Sequence, residues 1–168
     1  MNINNIMSKY IFLDIDGVLN SMDWFEQNKY TKGYTEINPG KVKLLKEIVD
    51  RTDAKIILSS TWRSLAAHDD KPEHEMYTYL RTSLEEFGLS ISDQTPYIQQ
   101  NRPQEIKAWL ENNTNEDDRY VSLDDDYSYD AYKECGIEKC LVKTSFYEPN
   151  GGLRKEHVEE AIKILNGE

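Results

Sequence analysis

Basic charge is what this sequence has least of for its size: 20 Lys and Arg stand against 31 Asp and Glu, a formal net charge of −11. Binding along a nucleic-acid backbone rests on Lys and Arg contacts to phosphates, so a broad electrostatic grip on a duplex is excluded. A locally basic pocket is not, because net charge governs solubility and non-specific attraction, not one site. Cysteine is scarce as well. Cys135 and Cys140 have no Cys or His partner at zinc-site spacing, so both read as reduced thiols. No segment approaches the roughly 20 apolar residues of a membrane span. Met1–Ser8 lacks the basic start and long apolar run of a signal peptide. The expectation is a soluble cytoplasmic protein with no membrane contact.

What is present is an ordinary globular composition, 38% hydrophobic and 30% charged over 168 residues, enough for one domain (1–168) with a real core. Short continuous apolar runs at Ile11–Leu13, Ala54–Leu58, Tyr120–Leu123 and Lys139–Val142 read as buried strands, with a shorter one at Leu89–Ile91. Between them lie helical faces. Asn38-Pro39 is an N-cap followed by Pro, leading into Val42, Leu45, Ile48 and Val49. Met76, Leu80, Leu84 and Phe87 end at Gly88; Arg102-Pro103 opens a helix carrying Ile106, Trp109 and Leu110. Val158, Ala161, Ile162 and Leu165 mark the last helix. Residues 20–37 read as an irregular flap, and 63–101 as a small insert. Strands alternating with helices predict an α/β fold: a three-layer sandwich with a mostly parallel sheet covered on both faces.

Three of these strands end in chemically loaded residues: Asp14 and Asp16, Ser59 and Ser60, Asp124 and Asp125. In a parallel sheet the ligand crevice lies beyond the carboxyl ends of the strands, so the three pairs can converge. Asp14 and Asp16 share a face if the strand continues. If the chain curls, one gives its side chain and the other its carbonyl. Either arrangement concentrates oxygen on a hard cation such as Mg²⁺. Clustered carboxylates without a cation repel, which raises a pKa. Arg102 stands at a helix start, where free N–H groups favour anions; Lys107 lies a turn further in. Together these are the parts of a phosphoryl-transfer site: a carboxylate nucleophile, a metal, a hydroxyl and a guanidinium for phosphate oxygens, and a second carboxylate as acid and base.

The segments I-F-L-D-I-D-G-V-L-N (residues 11–20), I-I-L-S-S-T-W-R (56–63), R-P-Q-E-I-K-A-W-L (102–110) and V-S-L-D-D-D (121–126) occur in the order of the four haloacid dehalogenase (HAD) motifs. The chain resembles that superfamily of Mg²⁺-dependent phosphatases, and most closely the HAD domains of RNA-repair proteins and polynucleotide kinase-phosphatases. The resemblance implies Asp14 as nucleophile and metal ligand, and Asp16 as general acid/base with its carbonyl on the metal. It implies Ser59, with Ser60 as the alternative, as the phosphate-binding hydroxyl, Arg102 as the phosphate clamp, and Asp124 and Asp125 as metal acids. Asp126 with Asp130 offers a competing D-x-x-x-D register. Arg63 is either a further grip on substrate phosphate or half of an internal salt bridge.

Neither the flap nor the insert is long enough for a full cap domain, and by resemblance minimal-cap members act on macromolecules or close the site by oligomerising. The expected substrate is a nucleotide or a single-stranded nucleic-acid end, with Trp24, Phe25 or Tyr34 stacking on a base. Other readings are a phosphatase of small metabolites or phosphoproteins, and a non-catalytic HAD-like binding module. Trp62 and Trp109 read as packing, and His68, His74 and His157 as surface residues. Tyr127, Tyr129 and Tyr132 either line the site or pack a short helix.

Overall fold

The computed structural model describes residues 6–168. Five strands form one parallel sheet in the order β3-β2-β1-β4-β5, with β1 Lys9–Leu13, β2 Lys55–Leu58, β3 Ile91–Gln94, β4 Arg119–Asp124 and β5 Leu141–Lys143. Helices α1 Met22–Asn28, α2 Pro39–Thr52, α3 Glu75–Glu85, α4 Arg102–Asn113, α5 Tyr129–Glu134 and α6 Lys155–Asn166 complete the described residues, with 3₁₀ turns at Thr61–Leu65 and Glu138–Cys140. The expected α/β architecture is present. No described helix is long and apolar enough to cross a membrane.

The central strand shows why both faces need cover. Ile11 and Leu13 point to one side, where they join Ile56, Leu58, Val121 and Leu123 under α2, α3 and α6. Phe12, one step out of phase, points to the other, against Ile57 and the α4 residues Ile106 and Trp109. The Phe12 and Trp109 rings meet edge to face with centroids 5.4 Å apart. A strand buried on both faces reads as an unbroken apolar run, which is what made β1, β2 and β4 recognisable.

The ends of those strands are held by a staircase of backbone hydrogen bonds. Thr95 N–H donates to Leu58 at 3.0 Å, Ser59 to Leu13 at 2.8 Å, Asp14 to Leu123 at 3.1 Å, and Thr144 to Asp124 at 3.0 Å. Thr95, Ser59, Asp14 and Asp124 therefore stand in one row along the carboxyl edge, about 4.8 Å from neighbour to neighbour.

Sequence periodicity misplaces some elements. Strand β3 begins at Ile91, not Leu89, whose N–H closes α3 by donating to Leu84 at 3.0 Å. As an edge strand paired with β2 alone, it tolerates the polar sequence I-S-D-Q. Strand β5 likewise starts two residues later than expected, after a 3₁₀ turn. The flap carries α1, two turns capped by Ser21, whose Oγ accepts from Trp24 N–H at 3.3 Å. Its aromatics show no period because they pack in different directions. Trp24 Nε1 donates to the Thr35 carbonyl at 2.6 Å, Phe25 meets Phe146 at 5.8 Å, and Tyr34 meets Tyr79 at 5.7 Å.

Candidate active site

Asp14 extends β1 by one residue, buried, with Oδ1 accepting the Ile15 N–H at 2.9 Å. Asp124 ends β4, fully buried, and its Oδ1 accepts the Asp126 N–H at 2.9 Å. Carboxylate oxygens of Asp14, Asp124 and Asp125 lie within 4.8 Å of one another. Gly17 makes room for the third. Its φ of +78° suits glycine, and a Cβ there would stand 2.1 Å from Asp125 Cγ. Lys143 Nζ fixes the following turn by donating to the carbonyls of Asp125 and Tyr127 at 2.9 and 2.8 Å.

Three clustered carboxylates create an electrostatic conflict. Burial pushes the Asp14 carboxyl up to about 8; Arg102 opposes the rise, and the Asp124 and Asp125 charges add to it. Burial and the neighbouring Asp124 push Asp125 up to about 6. Arg102 gives partial relief, its Nη1 lying 2.7 Å from Asp124 Oδ2 and 3.3 Å from Asp14 Oδ2. Burial works against the guanidinium charge, but the two carboxylates outweigh it and raise the Arg102 pKa. One cation for three acids leaves the cluster short of positive charge. All-oxygen donors so close together, two of them, Asp14 and Asp125, raised in pKa by burial and by neighbouring carboxylates, fit a hard divalent ion such as Mg²⁺.

Asp16 stands outside that cluster with an exposed side chain held at both oxygens. Asn20 Nδ2 donates to Oδ1 at 2.9 Å, and Trp62 Nε1 donates to Oδ2 at 3.1 Å. Asn20 also accepts the Gly17 N–H at 2.9 Å, which makes the turn after Asp16 self-supporting. Trp62 thus does more than pack, and sequence reasoning missed both residues. The available signal was proximity: Trp62 lies three residues beyond Ser59, and Asn20 closes the same D-G-V-L-N turn.

The two serines are distinguished by their partners. Ser60 Oγ accepts the Trp62 N–H at 3.3 Å and caps the 3₁₀ turn. Ser59, 1% exposed, has an Oγ with no protein partner. A buried hydroxyl without a partner carries a desolvation cost that a bound anion would offset. Arg63 is not a free cation. Its Nη2 donates to Glu105 Oε1 at 2.8 Å and its Nη1 to the Ser60 carbonyl at 3.1 Å, with both side chains buried. The internal salt bridge is the alternative of the two that the contacts show.

The tyrosine cluster divides. Tyr132 is fully buried, 2.7 Å from Ser122 Oγ, and donates to Asp124 Oδ2 at 3.4 Å. Burial and the Asp124 charge push its pKa well up, so it keeps its proton. The Arg102 guanidinium lies 5.5 Å over the Tyr127 ring, and Tyr129 is half exposed. Several residues stay apart from the cluster. Asp126 and Asp130 are exposed, so the competing register is not assembled; exposed Lys107 faces Glu111 at 4.0 Å. Contrary to the surface expectation, His157 is buried at the start of α6, its Nδ1 accepting from Arg154 N–H at 3.0 Å. Both cysteines are free thiols, and burial pushes Cys140 up to about 12.

Comparison with known proteins agrees with this geometry. Curated proteins and solved structures gave no match. A family model described as a HAD domain in Swiss Army Knife RNA repair proteins matches residues 10–158, a span holding every acid, hydroxyl and cation of the row. The chain belongs to that family of HAD domains.

Proposed function

We propose that the protein is a Mg²⁺-dependent phosphomonoesterase working through an aspartyl-phosphate on Asp14, with a nucleotide or a single-stranded RNA end as substrate. The observation that carries it is the partnerless Ser59 Oγ, one strand spacing from the Asp14 carboxylate on the same edge. Fold alone does not specify chemistry; a hydroxyl kept buried without a partner beside a carboxylate supports this reading. The RNA end rests on the family description alone.

In this reading Ser59 Oγ and the Arg102 guanidinium hold the phosphate oxygens. Asp14, Asp124 and Asp125 would hold Mg²⁺, whose charge offsets the repulsion between carboxylates and phosphate. An Asp14 oxygen attacks phosphorus while the ester P–O bond breaks, and Asp16 gives its proton to the departing alkoxide. Asp16, now a carboxylate, takes a proton from water. That water attacks the phosphorus of the acyl-phosphate, releasing inorganic phosphate and restoring Asp14. Trp62 and Asn20 hold the Asp16 carboxylate in place between the two half-reactions.

The direct test is Mg²⁺-dependent phosphate release from p-nitrophenyl phosphate. Asp14→Asn should lower kcat by on the order of 10³ or more. No activity in the wild type across nucleotides, phosphorylated oligonucleotides, sugar phosphates and phosphopeptides would favour the binding module. Activity surviving in Asp14→Asn would remove the nucleophile. Ser59→Ala should lower kcat/KM by about 10- to 100-fold, the worth of one hydrogen bond to a charged group, while urea unfolding shows unchanged or higher stability, since no internal bond is lost and a partnerless buried hydroxyl is removed.

Trp62→Phe keeps an aromatic side chain, smaller than the indole, and deletes the N–H aimed at Asp16. Its kcat should drop by about threefold to tenfold on an alkyl phosphate, whose alkoxide needs a proton, and less on p-nitrophenyl phosphate, whose phenolate does not. Equal losses on both would show that Trp62 serves only packing.

Metal removal exposes the charge conflict. Asp14 has an ordinary value of 3.8 and a folded one of about 8. A group raised on folding stabilises the fold below its ordinary value and loses that contribution as pH rises through the folded one. In EDTA the melting temperature should therefore fall between about pH 4 and 8, and fall less in Asp14→Asn. Mg²⁺ should raise it most at the upper end, as thermal scans with and without the ion can show.

A further inference from the structure

Beyond the row of phosphate-site residues, the carboxyl edge carries a cavity of about 400 Å³ at the ends of β2 and β3, lined by Thr61, Arg63, Gln94, Thr95, Tyr97 and Gln100 among others. That volume lies within the roughly 300–1,000 Å³ of small-molecule sites. We propose that this cavity is the subsite for a nucleobase, the planar heterocycle of a phosphorylated nucleotide or RNA end whose phosphate lies at Asp14 and Ser59. The inference rests on the phosphomonoesterase reading for the position of the phosphate, and on its own observations for the ring.

Position comes first. Thr95 follows Ser59 and Asp14 in the backbone staircase, so the cavity begins one strand spacing from the phosphate hydroxyl and about 10 Å from the nucleophile. Thr95 is 2% exposed, and its Oγ1, like Ser59 Oγ, has no protein partner. Two buried hydroxyls without partners, side by side on one edge, are costly unless a ligand completes them.

The lining selects a ring. Tyr97 is 67% exposed, with the Arg63 guanidinium 5.9 Å over its ring, an aromatic platform lining the cavity. Arg63 is already neutralised by Glu105, so the cavity offers no unpaired guanidinium to a second phosphate. Gln94 and Gln100 carry amides, each both donor and acceptor, as the edge of a heterocycle requires. The flap aromatics expected to stack on a base are engaged elsewhere, on Thr35, Phe146 and Tyr79.

The loop holding Tyr97 is built at a cost. Gln99 and Gln100 are consecutive non-glycine residues in the left-handed region, with φ of 49° and 60°, a conformation that L side chains disfavour. Surrounding bonds hold them there. Ile98 N–H donates to Glu105 Oε1 at 2.8 Å, Asn101 N–H to the Ile98 carbonyl at 2.8 Å, and the Tyr127 hydroxyl to the Gln100 carbonyl. Strain of this kind persists where the surroundings over-determine it, commonly beside ligands. Glu105 joins the loop, Arg63 and the first turn of α4, the turn that also carries Arg102.

Adenosine, guanosine, cytidine and uridine, titrated separately into the full chain without metal, test the ring apart from any phosphate chemistry. At least one should shift the amide resonances of Thr61, Thr95, Tyr97 and Gln100, while ribose should not. Tyr97→Ala, a change at an exposed side chain, should weaken that nucleoside at least about fivefold, the low end of one stacked base. No nucleoside shifting these resonances, ribose shifting them equally, or unchanged affinity in Tyr97→Ala would overturn the subsite. Loss of the subsite with phosphate release intact would leave the phosphomonoesterase reading standing, and nucleoside binding without phosphate release would do the reverse.

Discussion

The N–H of Asp14 donates to Leu123 at 3.1 Å and the N–H of Ser59 donates to Leu13 at 2.8 Å. These bonds carry the sheet ladder one residue beyond the strands and so fix the lateral spacing of a carboxylate, a hydroxyl and a second carboxylate contributed by three strands. The groups are short, with little side-chain freedom of their own, and their separation follows from the roughly 4.8 Å strand spacing. The apolar runs behind them, buried on both faces, supply the stiffness. A site built this way needs no adjustment of rotamers to converge.

Burial gives that row its chemistry and its liability. Asp14 and Asp124 are almost inaccessible, and with Asp125 they place three acids within one small volume. Arg102 reaches two of them through a single nitrogen. Burial first, and the neighbouring carboxylates second, raise Asp14 and Asp125, a conflict that a cation or a proton would relieve. Asp16 is treated differently. It faces solvent and is held by two neutral donors, Asn20 and Trp62. Two aspartates separated by one residue thus sit in opposite environments, the contrast on which the proposed division between nucleophile and proton carrier rests.

Sequence carried the framework because the strands are buried on both sides and helix starts are marked by chemistry. Asn38-Pro39 and Asn101-Arg102-Pro103 both proved to be capped helix starts. The strand-end acids and serines were legible because a polar residue after an apolar run has few other places to go. What could not be read was contact between side chains distant in sequence. Arg63 and Glu105 are 42 residues apart, and Trp62 and Asp16 are 46 apart. No local pattern announces either pair. Strand β3 was misplaced because an edge strand is half solvated and carries no continuous apolar signature. Thr95 and Tyr97 were hidden by the same error, since their meaning depends on where β3 ends.

The acidic total and a nucleic-acid substrate seemed opposed, and the edge geometry removes the opposition. Affinity for a nucleic-acid backbone grows with the number of phosphates neutralised, and a chain of net charge −11 is poorly equipped for that. The proposed contact is different in kind: one phosphate at the metal acids and one ring on Tyr97. Stacking needs a π-face and no net positive charge. Arg63 illustrates the choice, since its charge is cancelled by Glu105 and its guanidinium lies 5.9 Å from the Tyr97 ring centre. Glu105 lies one turn along α4 from Arg102, so the cation behind the ring and the cation at the phosphate are seated by the same stretch of helix. In the proposed reading, recognition of the ring and placement of the phosphate share one helix, and a terminal nucleotide is the smallest substrate that would engage both.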